Sequence, residues 1–339
     1  MTIRFDRPQL PGTGKNLPSD IDSWLGSDAM RALLTAFGGD PEQLSGSIDD
    51  LPARCARLLE FTEQTNTRVG DLERHETGEL AMTAEQAEVV LAVVDALGLR
   101  NSQPPDHAEY DHVLMLGGLI RACFNRPAYA AQLVREGRVG AGAVTALGAH
   151  RPFRENLVNP QEDERLLARG LGHPGLTDEY QALDLGTRLA FGLGEPESVE
   201  GETSPDPVNL PGLTWGIHHY RRADGSSARV AAAPSTEPQR RAHTGETYEF
   251  FAREMAELTP GTRLLLVTTP IYLPMQHFTA VRMLALPYGV EVETVGGDPA
   301  AQPNELVQSF TPTRYLNEIH TSARALKALA DALAEQDEH

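Results

Sequence analysis

The apolar residues of this 339-residue chain change their spacing near residue 105. Before that point they recur at helical intervals. Met30, Leu33, Leu34 and Phe37 form one stripe, ended by Gly38-Gly39. Leu51, Cys55, Leu58, Leu59 and Phe61 form a second. Val89, Val90, Val93 and Leu97 form a third, which opens on the capping-box pattern Thr83-Ala84-Glu85-Gln86. Another helical stretch starts near Pro18, with Ser19 or Asp20 as its cap. After Asn101-Ser102-Gln103-Pro104-Pro105-Asp106 the texture becomes alternating. His112–Leu116, Val144–Leu147, Leu264–Val267 and Val290–Val295 are short apolar runs. Helical stretches around Tyr129–Val134, Gln181–Phe191, Thr247–Leu258 and His277–Leu286 separate them. Such runs read as buried parallel strands joined by right-handed crossovers.

Leu213–Tyr220 and Ser227–Ala233 flank Arg222-Ala223-Asp224-Gly225, which predicts a hairpin, and Gly194–Pro211 reads as loop. A final helix runs from Thr313 to Leu333. The pattern predicts an α/β fold: a Rossmann-like, mostly parallel sheet flanked by helices, with an N-terminal helical domain. The expected division is an irregular leader over 1–18, a helical domain over 19–105, the sheet domain over 106–300, and a C-terminal helix over 301–339 packing on the core.

Charge narrows the partners. Lys and Arg number 29 against 48 Asp and Glu, a net charge of −19. That field repels phosphate backbones and anionic membranes, so neither nucleic acid nor a lipid surface is expected. No apolar run reaches the roughly 18 residues of a spanning helix, and a cytoplasmic location is expected. Cys55 and Cys123 stand far apart within helical patterns, without metal spacing, and read as buried thiols.

Within this acidic chain, basic and polar residues gather after the predicted strands. Gly117-Gly118 and Arg121 follow the first strand; a glycine pair there turns the chain into a helix whose N-terminus favours an anion. His150, Arg151 and Arg154 follow the second. Arg240, Arg241, His243, Thr244 and Glu246 follow the hairpin, and Thr268, Thr269, Tyr272, His277 and Arg282 follow the next strand. Strand ends are where ligands bind on open α/β sheets. In this reading Arg121, Arg151, Arg241 and Arg282 hold an anion, and Gly117 and Gly118 let it approach the backbone. His243, Thr244, Thr268, Thr269 and Tyr272 complete the binding set. Glu246 is a general base or anchor, while His150 and His277 carry protons near neutrality. Capping is the competing role for Glu246, three residues beyond His243. His218-His219 lie in a strand and point to opposite faces.

The first strand with Gly117-Gly118, the block Glu237 to Glu249, and Leu264 through Tyr272 resemble the YdcF/SanA/ElyC-like bacterial domain family. Thr244 and Glu246 match its Thr-x-Glu element, and Val267, Thr268 and Tyr272 match its later strand end. Thr247 stands where Asn is usual, Thr269 where Ser is, and Leu273 where His is. The resemblance implies a Rossmann-like crevice for a nucleotide-like or phosphorylated small molecule, with S-adenosylmethionine among the cofactor classes. The expected function is therefore a small-molecule enzyme, a transferase or hydrolase, binding an anionic ligand at the C-terminal edge of the sheet. A non-catalytic ligand-binding module and a metal-dependent hydrolase using the histidines are the alternatives.

Overall fold

The computed structural model describes residues 3–12, 16–68, 78–101, 103–153, 155–156, 162–207, 209–297, 302 and 306–337. Arg154, one of the polar residues after the second strand, lies outside them. The chain divides into two compact units. One holds residues 1–103, 270–287 and 309–339; the other holds 104–269 and 288–308.

The helical unit contains α1 (Leu17–Leu25), α2 (Asp28–Ala36), α3 (Leu51–Glu63) and α4 (Ala84–Ala96). Three of the four start on a side-chain cap, while α3 continues from a short helical turn over Ile48–Asp50. Asn16 caps α1, Ser27 accepts from the Met30 amide at α2, and Thr83 with Gln86 forms the expected capping box on α4. The first of these corrects the expected cap at Ser19 or Asp20, since Pro18 already lies in the opening turn, where its missing N–H costs nothing. Ile21, Trp24, Met30, Leu33, Leu58 and Val93 face one core. Ile271, Phe278 and Val281 from later in the chain join that core, as do Tyr315, Leu316, Ile319 and Leu326 of the last helix. The Trp24 and Phe278 rings meet edge to face at 5.2 Å.

The second unit is built on β1 (Glu109–Leu116), β2 (Gly140–Gly148), β3 (Ser198–Glu202), β4 (Trp215–Arg221), β5 (Ser227–Ala232), β6 (Arg263–Thr268) and β7 (Glu291–Gly296). They form one sheet in the order β3-β4-β5-β2-β1-β6-β7. β1, β2, β5, β6 and β7 are parallel, and the β3–β4–β5 edge is antiparallel. The fold is thus the expected α/β arrangement. Numbered among themselves, the parallel strands run 3-2-1-4-5, with the topological switch between β1 and β6. α5 (Ile120–Arg135), α6 (Glu164–Gly170), α7 (Glu179–Phe191) and α8 (Thr244–Phe250) belong to this unit. Val113, Met115, Val144, Ala146, Val230, Leu265 and Val267 pack with Ile120, Leu133 and Leu183 on one face. His112 points to the other face, where its ring meets Phe251 at 5.3 Å.

Two parts departed from the sequence pattern. β3 lies in the stretch read as loop, because all five of its residues are exposed and show no apolar alternation. The helix expected over Thr247–Leu258 starts at Thr244 and loosens into a π-turn over Phe251–Met255. Arg229 donates to the Met255 carbonyl that this turn presents.

In the helical unit, α9 (Leu273–Ala280) and α11 (Pro312–Asp337) carry the later segments, and the short helical turn α10 (Leu286–Tyr288) lies where the chain passes back to the sheet unit. His277 on α9 is fully buried, its Nε2 2.9 Å from the Pro11 carbonyl. Burial pushes its pKa down to about 4, although the Pro11 bond opposes the shift. A folded-state pKa below the unfolded value contributes stability above pH 6.5 that is lost as pH falls toward 4. Between pH 7 and pH 5 this one group should cost about 2 kcal/mol of unfolding free energy. Urea titrations at both pH values should show that loss in the wild type and a much smaller one in His277→Gln. An equal loss in both would show that another group drives the acid sensitivity.

Candidate functional site

The first βα turn is held from within. Arg151, just beyond β2, is 5% exposed and donates a forked pair of hydrogen bonds to Glu164, at 2.6 and 2.8 Å. Its Nε donates to Glu179 at 2.9 Å, and Nη2 also reaches the Gly118 carbonyl at 3.1 Å. Burial alone would lower the Arg151 pKa, but Glu164 and Glu179 outweigh it and raise it. Glu164 in turn accepts from the Ile120 amide at the start of α5. Arg126, 3% exposed on α5, donates to the Leu116 and Gly117 carbonyls and, through Nε, to Thr269 Oγ1 at 3.2 Å. Four buried charged side chains therefore clasp one turn.

This geometry reassigns several expected ligand groups. Gly117 is required by packing, since a Cβ there would stand 2.3 Å from Glu179 Oε1 and 3.0 Å from Gly148 Cα. The Ile120 amide, expected to face an anion, already faces a carboxylate of the protein. Arg151 spends its fork on Glu164, and Thr269 its hydroxyl on Arg126. Thr268 is fully buried, and its hydroxyl has no hydrogen-bond partner among the described residues. Arg121 extends to the Val307 carbonyl at 3.2 Å. Cys123 is buried with its thiol on the Gly118 and Glu179 carbonyls, and burial pushes its pKa up, away from thiolate chemistry.

Glu246 holds the loop between β5 and α8. Its carboxylate accepts from the His243 and Thr236 amides, from the Ser235 and Thr236 hydroxyls, and from both Nη atoms of Arg240. Burial opposes the charge, but the bonds from Arg240, His243 and Thr236 win and hold the carboxyl well below the usual range. A carboxylate so saturated is an anchor and a poor base, which corrects the general-base alternative. Arg241, His243 and Thr244 ride on this anchored loop. Tyr272, His277 and Arg282 belong to the helical unit, where Tyr272 packs against the apolar core. A fully buried His277 with a depressed pKa stays neutral near pH 7, so its expected proton-carrying role has no support in its surroundings.

Residues 10–98 match the model of the Rv3785 N-terminal domain. The chain is 29% identical over 335 residues to the uncharacterised protein Rv3785 of Mycobacterium tuberculosis (strain ATCC 25618 / H37Rv), covering 92% of this chain and 89% of that protein. The same identity and coverage hold for the uncharacterised protein Mb3814 of Mycobacterium bovis (strain ATCC BAA-935 / AF2122/97). No solved structure matches the chain. These similarities overturn the likeness to the YdcF/SanA/ElyC-like family. The motif residues that suggested it have local structural tasks here: Glu246 caps and anchors, and Thr268 is sealed in the core. A short strand-end motif is a weak discriminator among Rossmann-like sheets, which reuse such turns.

His150 remains open at the same strand edge. Its side chain is 25% exposed, its Nδ1 lies 3.8 Å from Asp178 Oδ2, and its ring meets Tyr180 at 4.9 Å. Sequence reading missed Arg126, Glu164, Glu179, Tyr180 and Asp184. One signal was available for Arg126: it falls on the apolar side of α5, between Cys123 and Ala130. Among the described residues no group of three or more His, Cys, Asp or Glu is placed to hold a metal ion, which leaves the metal-dependent alternative without a ligand cluster there. No helix among them is long and apolar enough to cross a membrane.

Removing one member of the buried cluster leaves the others uncompensated. Arg151→Met should lower unfolding free energy by about 3–5 kcal/mol, measured by urea denaturation. Glu246→Gln should cost about 1–3 kcal/mol, because the loop's amides and hydroxyls lose a charged acceptor. Wild-type stability in Arg151→Met would show that the clasp contributes nothing to folding.

Proposed function

We propose that the sheet unit is an enzyme that binds a small anionic molecule at the C-terminal edge of its parallel strands and moves protons there through His150. The observation that carries this reading is the position of His150: two residues beyond β2, a quarter exposed, beside Asp178 and against Tyr180. The 3-2-1-4-5 order supports it, since sheets of this order bind ligands outside the carboxyl ends of their strands. With the β1–α5 turn closed by Glu164 and Arg151, the anion is read by the loop after β5, where Arg241 and His243 sit on the Glu246 anchor. Nucleotide-like and S-adenosyl compounds are the first ligand classes to try. Two buried thiols, Cys55 and Cys123, accord with a reducing cytoplasm.

Thermal shifts with ATP, S-adenosylmethionine and sugar phosphates test the reading. A ligand at about 100-fold excess over its Kd should contribute roughly 2.7 kcal/mol. That gain should shrink in His150→Ala and in Arg241→Ala. If both variants keep the ligand's Kd within about twofold, a difference of only ~0.4 kcal/mol, the ligand does not sit at this edge. Stabilisation without any turnover would favour a binding module over an enzyme.

A further inference from the structure

Against the same Tyr180 ring that His150 meets stands a second histidine–aspartate pair. Asp184 on α7 accepts on one oxygen from His218 Nδ1 at 2.8 Å and from the Tyr220 hydroxyl at 2.5 Å. A carboxylate only accepts, so Nδ1 carries the hydrogen and the lone pair is left on Nε2. That nitrogen has no hydrogen-bond partner among the described residues, and the His218 side chain is 25% exposed. The Tyr180 ring lies 5.1 Å from the His218 ring and 4.9 Å from the His150 ring. Tyr180 itself is 7% exposed and makes no hydrogen bond through its hydroxyl among the described residues; it acts as an apolar spacer. Gly216 keeps that spacer in place, since a Cβ there would lie 3.3 Å from the Tyr180 hydroxyl. Two partly exposed imidazoles, each beside a carboxylate, thus contact one buried ring.

We propose that His218, held by Asp184, is the proton acceptor of this site and His150 its proton donor, in the hydrolysis of a small ester. The assignment rests on the reading of His150 given above. Both imidazoles pack on the same Tyr180 ring, at 4.9 Å for His150 and 5.1 Å for His218, which brings them to one neighbourhood of the sheet unit. The attacking water gives a proton to His218 Nε2 as its oxygen bonds to the acyl or phosphoryl centre. The bond to the leaving oxygen breaks, and His150 protonates that oxygen. His218 then returns its proton to solvent and His150 regains one, so ester and water become alcohol and acid. Asp184 is a positioning residue that fixes the tautomer. A tie between α7 and β4 would need Nδ1 alone and would be indifferent to Nε2.

Two measurements test this. Nitrogen-15 NMR of the histidine rings should find the Nδ1–H tautomer at His218 in the wild type, and Asp184→Ala should shift it toward Nε2–H. Turnover of p-nitrophenyl phosphate, bis(p-nitrophenyl) phosphate and p-nitrophenyl acetate should fall at least 100-fold in His218→Gln for whichever ester is cleaved. Added imidazole should restore part of the activity of His218→Gly. An Nε2–H tautomer in the wild type, unchanged turnover in His218→Gln, or no cleavage of any of the three esters overturns the proposal. If His150→Gln keeps full turnover while His218→Gln loses it, the earlier reading of His150 fails and the Asp184–His218 base stands. The converse removes the dyad alone.

Discussion

The buried ion cluster around the β1–α5 turn sets what the rest of the strand edge can do. Arg151 between Glu164 and Glu179 is a charge taken out of water, tolerable only because both carboxylates and the Gly118 carbonyl meet it. Its partners come from α6 and α7, so the turn, the end of β2 and two helices are fixed by the same contacts. Gly117 follows from this arrangement, because Glu179 occupies the space a side chain would need. Arg126 then closes the turn from α5 and carries the restraint to Thr269 beyond β6.

A turn fixed in this way loses the property that usually makes it a ligand site. On an open α/β sheet the first helix N-terminus attracts phosphate because its amides and dipole lack a counter-charge. Here Glu164 supplies one. The same substitution of internal for external partners occurs at Glu246, whose donors would otherwise be available to a ligand. What stays open is the set of imidazoles along the β2 side, His150 and His218, each near a carboxylate that orients without sealing it. Burial separates these two from His277, which is neutral and packed, and from His320, which is 2% exposed and contacts Thr62, Glu63 and Arg324 of its own unit. Four histidines of one residue type have two fates, and exposure decides between them.

The sheet was legible because buried parallel strands leave apolar runs: Val113, Met115, Val144 and Leu265 are both the sequence signal and the core. The Thr83–Gln86 cap was legible because its chemistry is local. β3 was not, since an exposed edge strand needs no apolar alternation. The candidate site was legible only in part. Residues after strands could be named, but whether an arginine faces a ligand or a carboxylate depends on partners far along the chain. Glu164 and Glu179 stand 13 and 28 residues beyond Arg151, and neither belongs to a motif with it. His218 shows the same limit, for its Asp184 partner comes from another element.

Long-range assembly also governs the helical unit. The stretch matching the Rv3785 N-terminal domain, residues 10–98, supplies α1 to α4. Its core is not closed by those helices. Phe278 stacks edge-on against the fully buried Trp24, and Gly12 meets Val281 so closely that a Cβ would lie 2.7 Å from it. Leu316, Ile319, Leu326 and Leu329 of α11 supply a further buried stripe. Fully burying a side chain of this kind is worth roughly 1.5–3 kcal/mol, so leaving off several exceeds the net stability of most domains. Residues 10–98 therefore share their apolar core with Phe278 and Val281 and with the buried stripe of α11. The unit is completed by segments distant in sequence: α9, which follows β6 in the chain, and α11, which follows β7.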